Sequence, residues 1–233
     1  MSLLEMHDVH TFIGQFHILE GVTIDVPEGE IVALLGRNGA GKTTTLKTAM
    51  GLTPARSGKV IFDGVDISEK RSFDIASMGL GYVPENRAIF ADLSVEENLR
   101  IAERQKGDFA KKEEFIFDLF PDLKRLIRLP GTNLSGGQQQ MLAVARALVP
   151  ENRLLLIDEP SEGLAPVIIE HMMEAIRQLS DRSTVLLVEQ NFIVASRLAQ
   201  HYVIVEEGRT VQAGAMADLV DDEETIKKYL GAA

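Results

Sequence analysis

Three absences narrow the range of functions that this 233-residue sequence can serve. Without a single cysteine, the chain cannot form a disulfide scaffold or a cysteine-ligated zinc or redox centre, which fits a reducing compartment. No segment approaches the roughly 18–20 consecutive apolar residues that cross a bilayer, and residues 1–9 lack the basic and apolar regions of a signal peptide. We therefore expect the protein to work at a membrane only by docking on proteins already there.

A surplus of positive charge is also missing. The sequence has 24 Lys and Arg residues against 35 Asp and Glu residues, so its formal net charge at pH 7 is −11. Affinity for nucleic acid rests largely on cationic side chains that neutralise phosphates, so we expect no nucleic-acid partner. The hydrophobic share of 45% is enough for one or two compact domains with a buried core.

What the sequence does contain is an alternation of strand-like and helix-like segments. Short apolar runs bounded by glycine or proline predict strands at residues 3–9, 19–26, 31–35, 59–62, 154–157, 184–188, 201–206 and 210–213. Apolar residues at helical spacing predict helices at residues 42–50, 167–179 and 192–200. Because strands and helices alternate, we expect an α/β fold with a mostly parallel core sheet.

The middle of the chain has a different, helical character. Ser94 and Glu97 stand at capping-box spacing, which predicts the start of a helix. Apolar residues then recur at helical spacing, at Phe115, Leu119, Leu123 and Leu126. We therefore predict an α/β core made of residues 1–85 and 151–233, interrupted by a helical insert of residues 86–150.

A glycine-rich loop joins the predicted strand at residues 31–35 to the predicted helix at residues 42–50. Gly36 to Thr43 fits the pattern G-x-x-x-x-G-K-[ST], and a strand before and a helix after are the context that this pattern requires. The glycines let backbone N–H groups turn inward around phosphates, while Lys42 places a charge on the β- and γ-phosphates. A chance glycine turn is the alternative, which the flanking elements disfavour. We predict nucleotide contacts from Gly36, Arg37, Asn38, Gly39, Ala40, Gly41, Lys42, Thr43 and Thr44, with the Thr43 hydroxyl also a ligand of Mg²⁺.

Two acidic residues, Asp158 and Glu159, follow the predicted strand at residues 154–157. Ligands of parallel sheets bind at the carboxyl ends of the strands, so this position brings both carboxylates towards the glycine-rich loop. Asp158 is suited to hold Mg²⁺ directly or through water, and Glu159 to polarise a water molecule that attacks the γ-phosphate. The alternative is that the acidic pair only caps the next helix.

A second glycine motif consists of Leu134, Ser135, Gly136, Gly137 and Gln138, just before a predicted helical run at residues 139–148. A helix N-terminus fronted by serine and two glycines presents free N–H groups to an anion. Simple capping of the helix by Ser135 or Asn133 is the alternative.

These three motifs together resemble those of the nucleotide-binding subunits of ABC transporters, and the match covers essentially the whole chain. The resemblance implies a P-loop ABC ATPase cassette with an N-terminal antiparallel β portion, a mostly parallel core sheet and an inserted helical subdomain. It also implies ATP and Mg²⁺ as ligands, and ATP hydrolysis coupled to transport.

The resemblance further implies partners. Two cassettes of that family pack head to tail, so residues 134–138 would complete the nucleotide site of a second ATP-binding subunit, either a copy of this chain or a paralogue. Membrane permease subunits and, indirectly, a solute-binding protein would complete the transporter. The chain would then lie peripherally at the cytoplasmic face of the plasma membrane.

Two positions depart from the common cassette pattern. Glu85 stands where the loop between the lobes usually carries a Gln that reaches Mg²⁺ and the attacking water, and Gln190 stands where most cassettes place a His that contacts the γ-phosphate. Both departures resemble the branched-chain amino acid importers, as do residues 119–123 and 163–166. By that resemblance Glu85 and Gln190 join Glu159 in catalysis, and Glu85 is also a metal ligand.

The predicted function is therefore ATP hydrolysis that powers import of branched-chain amino acids. Residues 35–39 and 160–163 are also similar to the urea-type importers, which leaves urea or another small solute as an alternative. Export, a soluble ABC-type ATPase of repair or translation, and a nucleotide-binding regulator without turnover are further alternatives. A single cassette without a coiled-coil insertion disfavours the soluble ATPase, and Glu159 disfavours the regulator.

The adenine contact is the least defined part of the predicted site. The family usually stacks the base on an aromatic residue immediately before a glycine, whereas here Ile13 precedes Gly14. Phe12 is the predicted stacking residue, with stacking by the nearby Phe16 and aliphatic contact from Ile13 as the alternatives. A phenylalanine in a strand-rich segment is also a common core residue.

Overall fold

Within residues 1–231, which the computed structural model describes, short apolar segments form ten strands in two sheets. The strands are β1 (Ser2–Ile13), β2 (Phe16–Pro27), β3 (Ile31–Leu35), β4 (Ala55–Phe62), β5 (Val65–Asp66), β6 (Leu80–Val83), β7 (Leu154–Asp158), β8 (Thr184–Val188), β9 (His201–Glu206) and β10 (Arg209–Ala215). The first sheet is antiparallel and has the order β2-β1-β4-β5. The second has the order β10-β9-β3-β8-β7-β6 and is parallel except for β10.

Ten helices lie between or after these strands within residues 1–231. They are α1 (Lys42–Ala49), α2 (Ser72–Ser77), α3 (Val95–Arg100), α4 (Asp108–Leu119), α5 (Pro121–Arg125), α6 (Gly136–Leu148), α7 (Pro166–Ser180), α8 (Phe192–Leu198), α9 (Met216–Val220) and α10 (Glu223–Thr225). A 3-10 turn at Gly131–Asn133 precedes α6, and a π-helical turn at Ile226–Leu230 follows α10. The helices α3 to α6 all lie between β6 and β7 along the chain.

The central strands β3, β7 and β8 of the second sheet are buried on both faces. All five residues of β3 are buried, and they alternate between two cores because successive side chains of a strand point to opposite faces. Val32 and Leu34 pack in a core with the first sheet, whereas Ile31, Ala33 and Leu35 pack in a core with residues of α6 and α7. This double burial explains the unbroken apolar run from which the strand was predicted.

The predicted fold class is confirmed, with a mostly parallel core sheet, an N-terminal antiparallel sheet and a group of helices within the chain. The predicted strands at residues 31–35, 184–188 and 201–206 have the observed bounds. The division of the chain into a core and a helical insert stays a prediction. No helix of residues 1–231 combines the length and the apolar character that a bilayer crossing requires.

The helical spacing predicted between Phe115 and Leu126 spans two consecutive helices. Helix α4 ends at Leu119, Phe120 leaves the helical conformation, and α5 begins at Pro121. Proline fits the first turn of a helix but not its interior, so it separates the two helices. Strand β6 and helix α2 were not predicted, because each is short and neither shows a full period of its pattern.

Candidate functional site

The loop between β3 and α1 is shaped for glycine at two tight positions. Gly36 has a φ of 147°, and a Cβ atom there would lie 2.2 Å from the carbonyl oxygen of Val205. Gly41 has a φ of 106°, and its Cβ would lie 2.9 Å from the side chain of Leu19. Any larger residue would displace the backbone of a neighbouring strand or strain the loop. The fold thus holds the loop at the carboxyl end of β3.

Lys42 is the buried cation of this loop, with 5% of its surface exposed. Its Nζ donates to the carbonyl oxygens of Gly36 at 3.0 Å and Arg37 at 3.3 Å, and it lies 3.2 Å from Oε1 of Glu159. The ammonium group therefore links the glycine-rich loop to the acidic strand end. A phosphate oxygen is a fitting partner for this group, because a lysine ammonium is a compact charge with three donors.

Asp158 ends β7 in a fully buried position beside α1. Its two carboxylate oxygens accept hydrogen bonds from Oγ1 of Thr43 at 3.2 Å and from the Tyr82 hydroxyl at 3.3 Å. Burial raises the pKa of Asp158 to about 6, although both hydrogen bonds oppose that shift. Burial, together with the Asp158 charge, also raises the pKa of Tyr82. A cation at these oxygens would offset the cost of keeping the carboxylate ionised.

Thr43 and Asp158 supply the hard oxygen ligands that Mg²⁺ prefers. Within residues 1–231, no three His, Cys, Asp or Glu side chains converge well enough to hold a metal ion on their own. Magnesium is commonly bound through one or two carboxylates together with the phosphates of a nucleotide. The residues present therefore fit Mg²⁺ that arrives with a nucleotide.

Glu159 has an unusual backbone for a residue that is not glycine, with a φ of 45°. Its N–H donates to the carbonyl oxygen of Val188 at 2.9 Å, and its own carbonyl accepts from the N–H of Glu162 at 3.2 Å. Such a conformation costs on the order of 1–3 kcal/mol and persists only where the surroundings enforce it. Here it turns the Glu159 carboxylate back towards Lys42.

A cleft of about 410 Å³ opens over the glycine-rich loop. It is lined by Ile13, Ile18, Asn38, Gly39, Gly41, Lys42, Thr43, Thr44, Glu85, Glu159 and Glu162. The structure therefore brings predicted residues from the loop, the acidic strand end and the loop after β6 to one place. Ile18 and Glu162 were missed by the sequence reasoning, although Glu162 follows closely on the acidic pair.

The cleft has a strong excess of negative charge. Partial desolvation, followed by the charges of Glu85 and Glu159, raises the pKa of Glu162, and the nearby Arg87 guanidinium opposes this shift. Glu85 and Glu159 also contribute to the raised pKa of Asp158. Because like charges at close range destabilise each other, the cleft favours a ligand that brings a divalent cation with it.

The β1–β2 hairpin closes one side of the cleft, where the base of a nucleotide was predicted to lie. Ile13 and Ile18 line the cleft, whereas the Phe12 ring stacks on His17 with ring centroids 4.1 Å apart. Neighbouring residues of a strand point to opposite faces, and of these two residues only Ile13 lines the cleft in this structure. Phe12 as the adenine contact stays a prediction, and the structure places Ile13 on the cleft side.

The second glycine motif lies at the start of α6 and does not line this cleft. Oγ of Ser135 accepts from the Gln138 N–H at 3.3 Å, and Oε1 of Gln138 accepts from the Ser135 N–H at 2.9 Å, which makes a capping box. Leu134 is buried, whereas Ser135 and Gly136 are exposed. The motif therefore faces outward from the chain, where a second molecule can reach it.

Arg87 is a further residue at this motif that sequence reasoning missed. Its Nη1 donates to Oε1 of Gln139 at 3.3 Å, and a Cβ atom at Gly136 would lie 3.2 Å from the same nitrogen. Arg87 belongs to the loop that carries Glu85, and its backbone has a φ of 63°. The loop after β6 thus contacts both the cleft and the start of α6.

Gln190 follows β8 and is exposed, and it is not among the residues that line the cleft. Strand β8 is the neighbour of β7, with Asp158 paired to Val188, so Gln190 lies at the same sheet edge as the acidic pair. The preceding residue, Glu189, is buried and accepts hydrogen bonds from Ser161. Sequence reasoning did not identify Glu189.

Comparison with known proteins identifies relatives of this chain. The sequence profile of the family described as "ABC transporter" matches residues 19–162. The high-affinity branched-chain amino acid transport ATP-binding protein BraG of Pseudomonas aeruginosa is 40% identical over 232 residues, which cover 98% of this chain and 100% of BraG. The probable branched-chain amino acid transport ATP-binding protein LivF of Archaeoglobus fulgidus is 35% identical, over 93% of this chain and 94% of that protein. The lipopolysaccharide export system ATP-binding protein LptB of Escherichia coli is 33% identical, over 92% of this chain and 91% of LptB.

Solved structures are similar over the whole length. A structure described as the ATP-binding subunit of an ABC transporter superposes with a TM-score of 0.83 and 28% identity, covering 100% of this chain and 95% of that one. The ADP conformation of an ATP-binding cassette superposes with a TM-score of 0.87, covering both chains fully, and at 23% identity it is evidence for the fold alone.

Proposed function

This chain belongs to the ABC transporter family, and from that premise we propose that the ATP it hydrolyses powers the import of branched-chain amino acids. The observation that carries the proposal is its 40% identity with BraG over nearly the full length of both chains. Glu85 and Gln190, which depart from the common cassette pattern and resemble this importer subfamily, support it further.

A second candidate is export of a lipid-linked solute, since LptB covers almost as much of the chain at 33% identity. Import of urea or another small solute is a third, on the residues that are similar to the urea-type importers. The higher identity to BraG and the similarity to LivF favour the branched-chain amino acids over both.

Transport of labelled solutes separates these candidates. Uptake of radiolabelled leucine, isoleucine and valine would be measured in cells that carry the complete transporter with either this chain or its Glu159→Gln variant. We expect uptake only with the unaltered chain. Uptake of urea in place of leucine, or release of lipopolysaccharide from membrane vesicles, would replace the proposal with one of the alternatives.

The proposed catalytic cycle begins with a change of partner at Lys42. In the structure its ammonium pairs with the Glu159 carboxylate, and the phosphates of ATP would compete for the same charge. Lys42 then holds the β- and γ-phosphates, and Glu159 is released to accept a proton from water. Thr43 and Asp158 would hold Mg²⁺, which neutralises charge on the β- and γ-phosphates when bound.

The two unusual residues have distinct proposed roles. Gln190 donates an amide hydrogen bond to the γ-phosphate or the attacking water, and unlike a histidine it does not titrate near neutral pH. Glu85 lies in the cleft at the end of the loop that follows β6, where it can reach the metal ion or its water. Because that loop also carries Arg87 to the start of α6, Glu85 would couple hydrolysis to movement of the helices.

The proposed assembly follows from the outward position of the second glycine motif. A second ATP-binding subunit, either a copy or a paralogue, places the start of its α6 over the γ-phosphate, so that helix N–H groups and the Ser135 hydroxyl contact the nucleotide. Permease subunits in the membrane and a solute-binding protein complete the transporter. The chain would act peripherally at the cytoplasmic face of the plasma membrane.

A further inference from the structure

Glu189 is a buried carboxylate to which the mechanism above gives no role. Its surface is only 2% exposed, and it lies between the end of β8 and the loop that follows Glu159. Its Oε1 accepts the Ser161 N–H at 3.2 Å, and its Oε2 accepts the Ser161 hydroxyl at 2.9 Å. The Asn191 N–H donates to the same Oε2 at 3.4 Å. One carboxylate thus receives two hydrogen bonds from a single residue of a functional loop.

Stability alone is a poor reason for a carboxylate in this place. Within residues 1–231 no basic side chain forms an ion pair with Glu189, so its charge is held by neutral donors alone. Burial raises the pKa of Glu189 to about 7 despite those hydrogen bonds. An ionised group of this kind lowers the stability of the folded state relative to a neutral group of the same shape.

The loop that Glu189 holds contains Glu159, the residue with the strained backbone. Ser161 is two residues after Glu159, whose φ of 45° turns its carboxylate towards Lys42. The other end of the turn is held by the hydrogen bond from the Glu159 N–H to Val188, the residue just before Glu189. Both ends of the turn are therefore tied to the end of β8, one through the backbone and one through the Glu189 side chain.

We propose that Glu189 is a positioning residue for ATP hydrolysis, whose carboxylate anchors the turn at residues 159–162 and so fixes the direction of the Glu159 side chain. This inference rests on the proposed role of Glu159 as the general base. A base must lie within hydrogen-bond reach of the water that it deprotonates, and small displacements reduce the rate steeply. A second consequence is that the same anchor sets the position of Gln190, the next residue along the chain.

The decisive variant is Glu189→Gln, which keeps the shape but replaces one acceptor oxygen with an amide donor that faces the backbone N–H of either Ser161 or Asn191. We expect kcat for ATP hydrolysis by the purified chain to fall by about tenfold or more, with KM for ATP changed by less than about threefold. Trapping of ADP with orthovanadate, a mimic of the transferring phosphoryl group, should weaken by a similar factor, while the affinity for ADP alone is unchanged. The Tm should change by only a few degrees, because the loss of a buried charge offsets the cost of the unpaired amide donor.

Ser161→Ala is the companion variant, because it removes one donor to Glu189 without altering any carboxylate. We expect a smaller fall in kcat, and the double variant should be no slower than Glu189→Gln alone, since both changes break the same link. Glu113→Gln, the same substitution at an exposed position of α4, is the matched control and should behave as the parent chain.

A kcat within about twofold of the parent chain in Glu189→Gln would overturn the proposal. Equal losses of kcat, ADP affinity and Tm would overturn it as well, because they indicate a general structural role. If Glu189→Gln does not fold, unchanged turnover in Ser161→Ala overturns it instead. Full hydrolysis by Glu159→Gln would instead overturn the proposed role of Glu159 as the general base, independently of the result for Glu189.

Discussion

Two helices of this chain begin at glycine-containing motifs, and their N-termini differ in what they offer a phosphate. Helix α1 starts after Gly41 with no side-chain hydrogen bond to its first N–H groups, beside buried Lys42 and Asp158. Helix α6 starts at an exposed Ser135 that is already part of a capping box with Gln138. The first end has free donors, a cation and a carboxylate within one chain, which makes it a binding site in its own right.

The N-terminus of α6 has few of these features. Its serine hydroxyl already accepts a backbone hydrogen bond, and its glycines have exposed or half-exposed surfaces. A phosphate bound there alone would remain largely in water, where such contacts are weak. From this difference we infer that the N-terminus of α1 sets the affinity for the nucleotide, and we propose that the N-terminus of α6 contributes only when a second molecule closes over it. Each prediction below separates these two contributions.

The largest effect is expected from Glu159→Gln. Turnover should fall by about 10²- to 10⁴-fold, because the general base is lost while the fold and the phosphate contacts remain. Affinity for ATP should be retained or increased, since Lys42 loses the carboxylate that competes with the phosphates. Phosphate release measures the first effect and equilibrium binding of ATP the second. Size-exclusion chromatography with ATP should also show a stable dimer, and wild-type hydrolysis would remove Glu159 from its proposed role.

Lys42→Ala should disrupt the phosphate site at the N-terminus of α1 and leave the N-terminus of α6 unaltered. Loss of a charged donor to two phosphates should weaken ATP binding by about 30- to 100-fold. Isothermal titration of the isolated chain measures this affinity. Lys47→Ala, a change at the end of the same helix, is the control and should bind ATP normally. Unchanged affinity in Lys42→Ala would refute the assignment of the phosphate loop.

Ser135→Ala tests the α6 end, and the chain supplies a matched control in Ser94→Ala. Both serines cap a helix through a capping box, so each variant should lose about 1 kcal/mol of unfolding free energy. Only Ser135→Ala should lower turnover, by about tenfold, because only that hydroxyl is proposed to contact a partner's nucleotide. ATP binding to the separate chain should be unchanged in both. Equal turnover in the two variants would reduce Ser135 to a helix cap.

The phosphate site at the N-terminus of α1 was easier to predict from the sequence than the rest of the site, for a physical reason. Gly36 and Lys42 belong to a short motif whose residue types and spacing mark the loop directly, and Asp158 is marked by its place at the end of an unbroken apolar run. Glu189 and Arg87 act through contacts with residues 28 and 52 positions away, and no local pattern marks such contacts. The core sheet was predictable for the same reason as the loop, because strands buried on both faces leave an unbroken apolar run. Strand β6 and the break at Pro121 depend on tertiary packing and on a single proline within a helical pattern.

The smallest effect is expected at the adenine base of the nucleotide, where the β1–β2 hairpin extends the site at the N-terminus of α1. Ile13→Ala should weaken ATP binding by about fivefold, from the loss of about 1 kcal/mol of apolar contact, because Ile13 lines the cleft. Phe12→Ala should leave the affinity unchanged, since its ring stacks on His17. Inorganic tripolyphosphate, which has no base, should bind all three forms of the chain equally, so comparing it with ATP isolates the adenine contact. A loss of affinity in Phe12→Ala alone would identify Phe12 as the stacking residue. It would also mean that the β1–β2 hairpin turns when the nucleotide binds, so that the site at the N-terminus of α1, like the one at α6, is completed by a movement.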